Sequence, residues 1–282
     1  MRAKVPEDES CERRNRAVHT FGIVLAVEAL QNDRMMKRIH LAPILVLLAT
    51  ANTGFAQEKK PYDDLLVKYV DEKYEDCLVK AERYTTNDNT KRDPLPYLYM
   101  SMCLYEMSKI PKYQAMEEYK KADRDALKWA EKYRKKDKDK EFFNNYEDYW
   151  SELNTMAQES GLNEYESGAK GMSKARRYFD SMTGYYPENP GAWLMLGLTD
   201  YGSNMAKEGD DAISKYKAAL DAAGGIDRLP EDQKKLMKAG LIHYAEYLDG
   251  KGDKSGAKAA METGKEAFMD DPEFKAAYES YQ

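Results

Sequence analysis

From Pro61 to the end of the chain, apolar residues recur at three-to-four-residue spacing. That period lays one apolar stripe along a helix, and the strict alternation of a half-buried strand is absent. Ala, Leu, Met, Lys and Glu, all strong helix formers, fill the periodic stretches. Prolines supply the punctuation. Pro94 with Pro96, Pro111, Pro187 with Pro190, Pro230 and Pro272 fall between periodic stretches, where a proline can open a helix but not continue one. Gly224-Gly225 and Gly250-Lys251-Gly252-Asp253 read as helix stops and turns. The predicted helices are 62–86 (broken near Val70), 95–109, 112–136, 140–161, 164–186, 190–206, 209–223, 230–249, 253–268 and 272–281. Connections this short between long helices imply antiparallel neighbours, so the fold class is all-α, built from helix pairs.

The pattern also repeats. Asp76 to Tyr84 and Asp125 to Tyr133 share five of nine residues at a separation of 49, and Ala175, Phe179 and Met182 occupy the same three apolar places 49 residues further on. Repetition on this scale predicts stacked helix pairs, because one pair cannot bury its own apolar face.

Between Ala175 and Ala219 the repetition becomes specific. Ala175-x3-Phe179 is followed by Pro187, then by Trp193-x2-Leu196-Gly197, then by Ala212-x3-Tyr216-x2-Ala219. This register resembles the tetratricopeptide repeat family. Small residues (Gly197, Ala212, Ala219) would let paired helices approach, while Trp193, Leu196 and Tyr216 fill the grooves beside them. The pattern departs at Asp200, where the family usually has an aromatic, and the early units are about fifteen residues longer than the usual repeat. The resemblance implies a right-handed superhelical array of antiparallel helix pairs, an α-solenoid, over 57–282. It also places Trp193 in the core, where truncation to Ala would cost about 3–5 kcal/mol.

In that family the first helix of each pair lines a concave surface that holds peptides. Projected here, one groove row is Leu98, Met102 and Tyr105, the equivalent row is Leu194, Leu198 and Tyr201, and Asn154 and Gln158 lie between them as candidate hydrogen-bonding groups for a peptide backbone. The rows offer none of the Lys, Arg and Asn with which some members clamp an acidic carboxyl terminus. They imply an apolar-anchored polypeptide instead. The alternative, that the rows pack against a neighbouring helix in a tight coil, stays open.

Charge and targeting signals narrow the function classes. Met36-Lys37-Arg38, the apolar run Leu41 to Ala51 and Gly54-Phe55-Ala56 have the layout of a secretory leader over 35–56, cleaved after Ala56. The expected location is periplasmic or secreted. Residues 1–34 read as an extension upstream of the native start or as a disordered preface. The whole chain carries a net charge of −6; the first 56 residues hold eight basic and six acidic groups, so cleavage leaves 226 residues at −8. That balance speaks against nucleic acid as a partner. No later stretch is long and apolar enough for direct membrane insertion. A mean hydropathy of −0.82 suits a thin, elongated molecule. Cys77 and Cys103 could pair in an oxidising compartment, or be two buried small hydrophobes on neighbouring helices.

No catalytic constellation stands out, and no cofactor or metal is expected. His243 is the one histidine after Ala56, too few for a histidine-based triad or a zinc cluster. Gly250-x-Gly252-x3-Gly256-Ala257-Lys258 misses the spacing of a phosphate loop and reads as an interhelical turn. Asp137-x-Asp139-x-Glu141 lacks the glycine that a calcium loop needs, since Phe142 stands there; the run reads as a solvated helix end. The expectation is a non-enzyme that binds a protein or peptide. An accessory subunit of an envelope or secretion complex, or a solenoid that binds glycan or a small molecule through its tyrosines, are the competing readings.

Overall fold

The computed structural model describes residues 62–282; the leader at 35–56 and the upstream stretch 1–34 lie outside the described residues. Among the described residues there are twelve α-helices and no strand. They are α1 (Asp63–Val70), α2 (Tyr74–Thr86), α3 (Leu95–Lys109), α4 (Pro111–Gln114), α5 (Ala122–Lys136), α6 (Glu147–Glu166), α7 (Met172–Tyr185), α8 (Pro190–Gly202), α9 (Ala206–Ala223), α10 (Glu231–Gly250), α11 (Lys254–Phe268) and α12 (Pro272–Ser280).

The sequence signals for starting and stopping helices act as read. Asn189 accepts the Ala192 N–H while Pro190 occupies the first turn of α8, and Asp271 with Pro272 does the same for α12. Gly224 and Gly225, at φ +77° and +107°, end α9 in a conformation that a side chain would strain. The Gly250–Asp253 run is an interhelical turn in which Asp253 caps α11 through the Gly256 N–H.

Several boundaries differ from expectation: the helices predicted to start at 140 and 164 start at Glu147 and Met172, and two further differences have a visible cause. The predicted helix 112–136 is divided into α4, a 3-10 turn at Glu117–Tyr119, and α5. Tyr113 and Tyr119 meet edge to face at 5.7 Å across this break, so aromatic packing turns the chain where propensity would continue it. The predicted stop at 161 is absent, and α6 runs through Gly161 to Glu166. A Cβ at Gly161 would lie 2.8 Å from the Phe179 ring; the glycine marks close approach of α7, not a helix end.

Most consecutive helices pack as neighbours, the exceptions being α4 with α5, α5 with α6 and α9 with α10. α3 lies between α2 and α5; α6 packs on α7, α7 also touches α5 and α8, and α8 is surrounded by α7, α9 and α10. α10 continues to α11, which carries α12. Two apolar clusters result and they share α8: Ala192, Met195, Leu196 and Leu198 belong to the first, Leu194 to the second. Asp200, the departure from the family pattern, is buried on α8 and forms an ion pair at 2.5 Å with Arg176 of α7. A charged tie between helices replaces the expected aromatic plug.

Cys77 and Cys103 are free thiols, fully buried on the adjacent helices α2 and α3. The Cys77 thiol donates to the Leu65 carbonyl at 3.6 Å. No helix of the described residues is long and apolar enough to cross a membrane.

Candidate binding surfaces

The predicted groove rows are not on the surface. Leu98, Met102 and Tyr105 on α3, and Leu194 and Leu198 on α8, are all buried, at 8% exposure or less. The reason is visible in the composition of the two helices. Both are apolar on every side, and such a helix is stable only where neighbours cover its whole circumference. Tyr201 alone keeps partial exposure; it stacks on Tyr247 of α10 with centroids 4.7 Å apart and donates to Asp210 at 2.7 Å.

Asn154 and Gln158 are likewise interior, at 1% and 4% exposure. Asn154 accepts from the Tyr185 hydroxyl at 2.7 Å and donates to Asp232 at 2.8 Å, which ties α6 to α7 and α10. Its hydrogen-bonding capacity is spent on the fold, not on a peptide. Burial is the largest influence on Asp232 and, although the bonds from Asn154 and Ser151 oppose it, holds its carboxyl above the usual range. Gln158 leaves its side-chain oxygen without a partner.

The repeat-core residues divide. Ala175, Phe179, Leu196, Gly197, Ala212 and Tyr216 are buried, and Gly197 lets Ile213 of α9 close on α8. Trp193, Pro187 and Ala219 are only half-buried. Trp193 sits at the entrance of α8, donating through Nε1 to the Pro187 carbonyl at 2.8 Å, with Lys215 over its ring at 4.5 Å. One face of the indole opens onto a shallow apolar groove floored by Ala218, Ala219, Ala222 and Ala223. The expectation that Trp193 is wholly core is corrected: it is a half-buried seam residue that packs against both apolar clusters.

A groove does exist beside α3, but with a different lining. It lies between α3 and α6, holds about 560 Å³, and is bounded by Tyr105 and Lys109 on one side and by Ser151, Thr155, Met156, Glu159 and Asn163 on the other. Helix α6 is amphipathic: Trp150, Leu153, Asn154, Ala157, Gln158 and Gly161 face inward, while Ser151, Thr155, Met156, Glu159 and Asn163 lie towards the outside. Lys109 reaches over the Tyr105 ring at 4.1 Å and pairs with Glu106 at 2.8 Å and with Glu152 across the groove at 3.6 Å. Burial first, then the charges of Glu152, Glu106 and Glu159, push the Tyr105 hydroxyl up, so it keeps its proton as a donor. The signal for this groove was in the sequence, in the polar positions of α6 and not in the apolar ones of α3.

Side chains singled out for chemistry have structural occupations. Asp137 is buried at 3% exposure, which corrects the reading of its run as a solvated helix end. Its carboxylate accepts the Tyr133 hydroxyl and the N–H groups of Glu141, Phe142 and Phe143, and thereby builds the turn from α5 towards α6. His243 lies beside the Tyr165 ring at 4.9 Å and bonds Glu246 at 2.9 Å on the helix exterior. Among the described residues no group of three or more His, Cys, Asp or Glu side chains is placed to hold a metal ion. No family model, curated protein or solved structure matches this chain.

Proposed function

We propose that the protein is a non-catalytic, exported scaffold of tetratricopeptide-like helix pairs that holds a polypeptide in the groove between α3 and α6. The observation that carries this reading is the lining of that groove. Hydroxyls at Ser151 and Thr155, the amide of Asn163 and the charges of Lys109 and Glu159 alternate with the apolar Met156 and the edge of Tyr105. From Ser151 to Asn163 the helix rises about 18 Å, the length of roughly five residues of extended chain. Donors and acceptors spread over such a length suit a peptide backbone better than a compact metabolite. The burial of Ala175, Phe179, Leu196, Gly197, Ala212 and Tyr216 where α7, α8 and α9 pack together supports the tetratricopeptide-like part of the proposal. The layout of residues 35–56 supports export.

Site-specific photo-crosslinking in cells that express the protein tests it. A photoreactive residue at Thr155 or Glu159 is expected to capture a discrete polypeptide, while one at Lys235, exposed on α10, captures none. Equal capture at all three positions, or none at Thr155 and Glu159, contradicts the reading.

A further inference from the structure

We infer that a second opening, between α5 and α7, is an anion site that takes an acidic polypeptide segment. The two helices run side by side in the same direction. The Tyr178 hydroxyl donates to Asp123 at 3.2 Å, and a Cβ on Gly184 would lie 2.8 Å from Glu131, so positions on α5 face positions on α7 some 53 to 55 residues later. At that offset Lys121 stands across from Lys174, and Arg124 across from Arg177. Arg124 and Lys128 are four apart on one face of α5, and Lys121 stands at the N-cap just before them. All five of these basic side chains line the same cleft, of about 570 Å³.

Cations facing cations are unfavourable unless carboxylates intervene. Some do: Lys174 pairs with Glu164 at 3.1 Å and Lys128 with Asp125 at 2.7 Å. Lys121, Arg124 and Arg177 form no ion pair among the described residues, although the whole chain carries a net charge of −6. Of the acidic groups that line the cleft, Asp123 is engaged by Tyr178 and Glu164 by Lys174, while the Asp180 carboxylate forms no ion pair among the described residues. Two guanidinium forks without an ion pair among the described residues, facing across a cleft, fit a carboxylate, which each can hold bidentately.

The occupant is peptide-like for two reasons. The cationic row on α5 is about 10 Å long, matching two or three residues of extended chain whose alternate side chains lie about 7 Å apart. Asp123, Glu164 and Asp180 interrupt the cleft wall, and with the acidic chain around them they would repel a continuous run of phosphates more than spaced carboxylates. The cleft belongs to α5 and α7, so this site stands or falls independently of the α3–α6 groove.

The test is a titration of labelled hexaglutamate into the purified protein, followed by fluorescence anisotropy at low and physiological salt. Single-stranded oligothymidylate of equal charge is titrated in parallel. The variants are Arg124→Gln/Arg177→Gln, Arg124→Lys/Arg177→Lys, and Lys235→Gln/Lys275→Gln as a charge-matched control, each checked by thermal melting. Expected is saturable, salt-sensitive peptide binding that weakens about tenfold or more in the Gln pair, by less in the Lys pair, and by under about twofold in the control. Absence of saturable peptide binding, equal weakening in the control, or tighter binding of oligothymidylate than of hexaglutamate would overturn the proposal.

Discussion

Helices α3 and α8 differ from α5, α6 and α7 in one respect that decides which of their faces stay open to solvent. The first two are apolar around their whole circumference and are swallowed by neighbours, α3 between α2 and α5, α8 among α7, α9 and α10. The other three bury one face and leave the opposite face polar. The lesson concerns how apolar rows are interpreted. A row of Leu, Met and Tyr on a first helix resembles a peptide-binding stripe, yet when the remaining faces of that helix are equally apolar, the row is core. The faces left open are the polar ones of the amphipathic helices around it.

The sharpest way to break this contrast is substitution within the two classes. Leu194→Ala and Leu98→Ala are each expected to cost about 3–4 kcal/mol, as for fully buried leucines. Thr155→Glu and Arg124→Gln are expected to stay within about 0.5 kcal/mol, as solvent-facing changes do. Chemical denaturation of the four variants measures this, and a small loss at Leu194 would return α8 to the surface. Next comes Asp137→Ala, expected to cost about 3 kcal/mol because three backbone N–H groups and the Tyr133 hydroxyl lose their acceptor together. Asp137→Asn is expected to recover part of that.

Asp200→Ala is expected to cost about 2 kcal/mol, less than a fully buried pair would, since Arg176 keeps 30% of its side-chain surface. The double variant Asp200→Leu/Arg176→Met should recover most of the loss, because an apolar pair of similar volume avoids stranding either charge. Trp193→Ala is expected to cost about 1–2 kcal/mol, below the figure for a wholly buried indole, because one ring face is already wet. The smallest effect is in pH dependence. The carboxyl of Asp232 is held above its ordinary value of 3.8, so it binds its proton more tightly in the folded state. Its contribution to stability is complete below the unfolded value and is lost as pH rises through the raised folded value. Asp232→Asn cannot lose it, so the variant should gain on the wild type as melting is followed from acid to neutral pH; an unchanged difference would show that Asp232 is not desolvated.

Particular elements show which parts of this were legible in the sequence. The span 95–109 is bracketed by Pro94 and Pro111, and α3 has those bounds. Local punctuation carries that information, and the same holds for Asn189-Pro190 and Asp271-Pro272. Breaks set by tertiary contacts were not legible: Tyr113 against Tyr119 divides one helix, and Gly161 under Phe179 preserves another. Asp137 carried no periodic signal, because its worth lies in backbone N–H groups that converge only once the turn has formed. For the binding surfaces, the all-round apolarity of Leu95 to Met107 was present in the letters and argued for burial. The facing of Arg124 and Arg177 was not, since it depends on the packing register of helices far apart in sequence.

Side-chain oxidation read by mass spectrometry bears most directly on the division between swallowed and amphipathic helices. Brief hydroxyl-radical exposure of the native protein should leave Met102 on α3 and Met195 on α8 protected, while Met156 at the α3–α6 groove oxidises readily. Oxidation of Met102 and Met195 at the rate of Met156 would contradict their burial and restore the apolar rows as a surface.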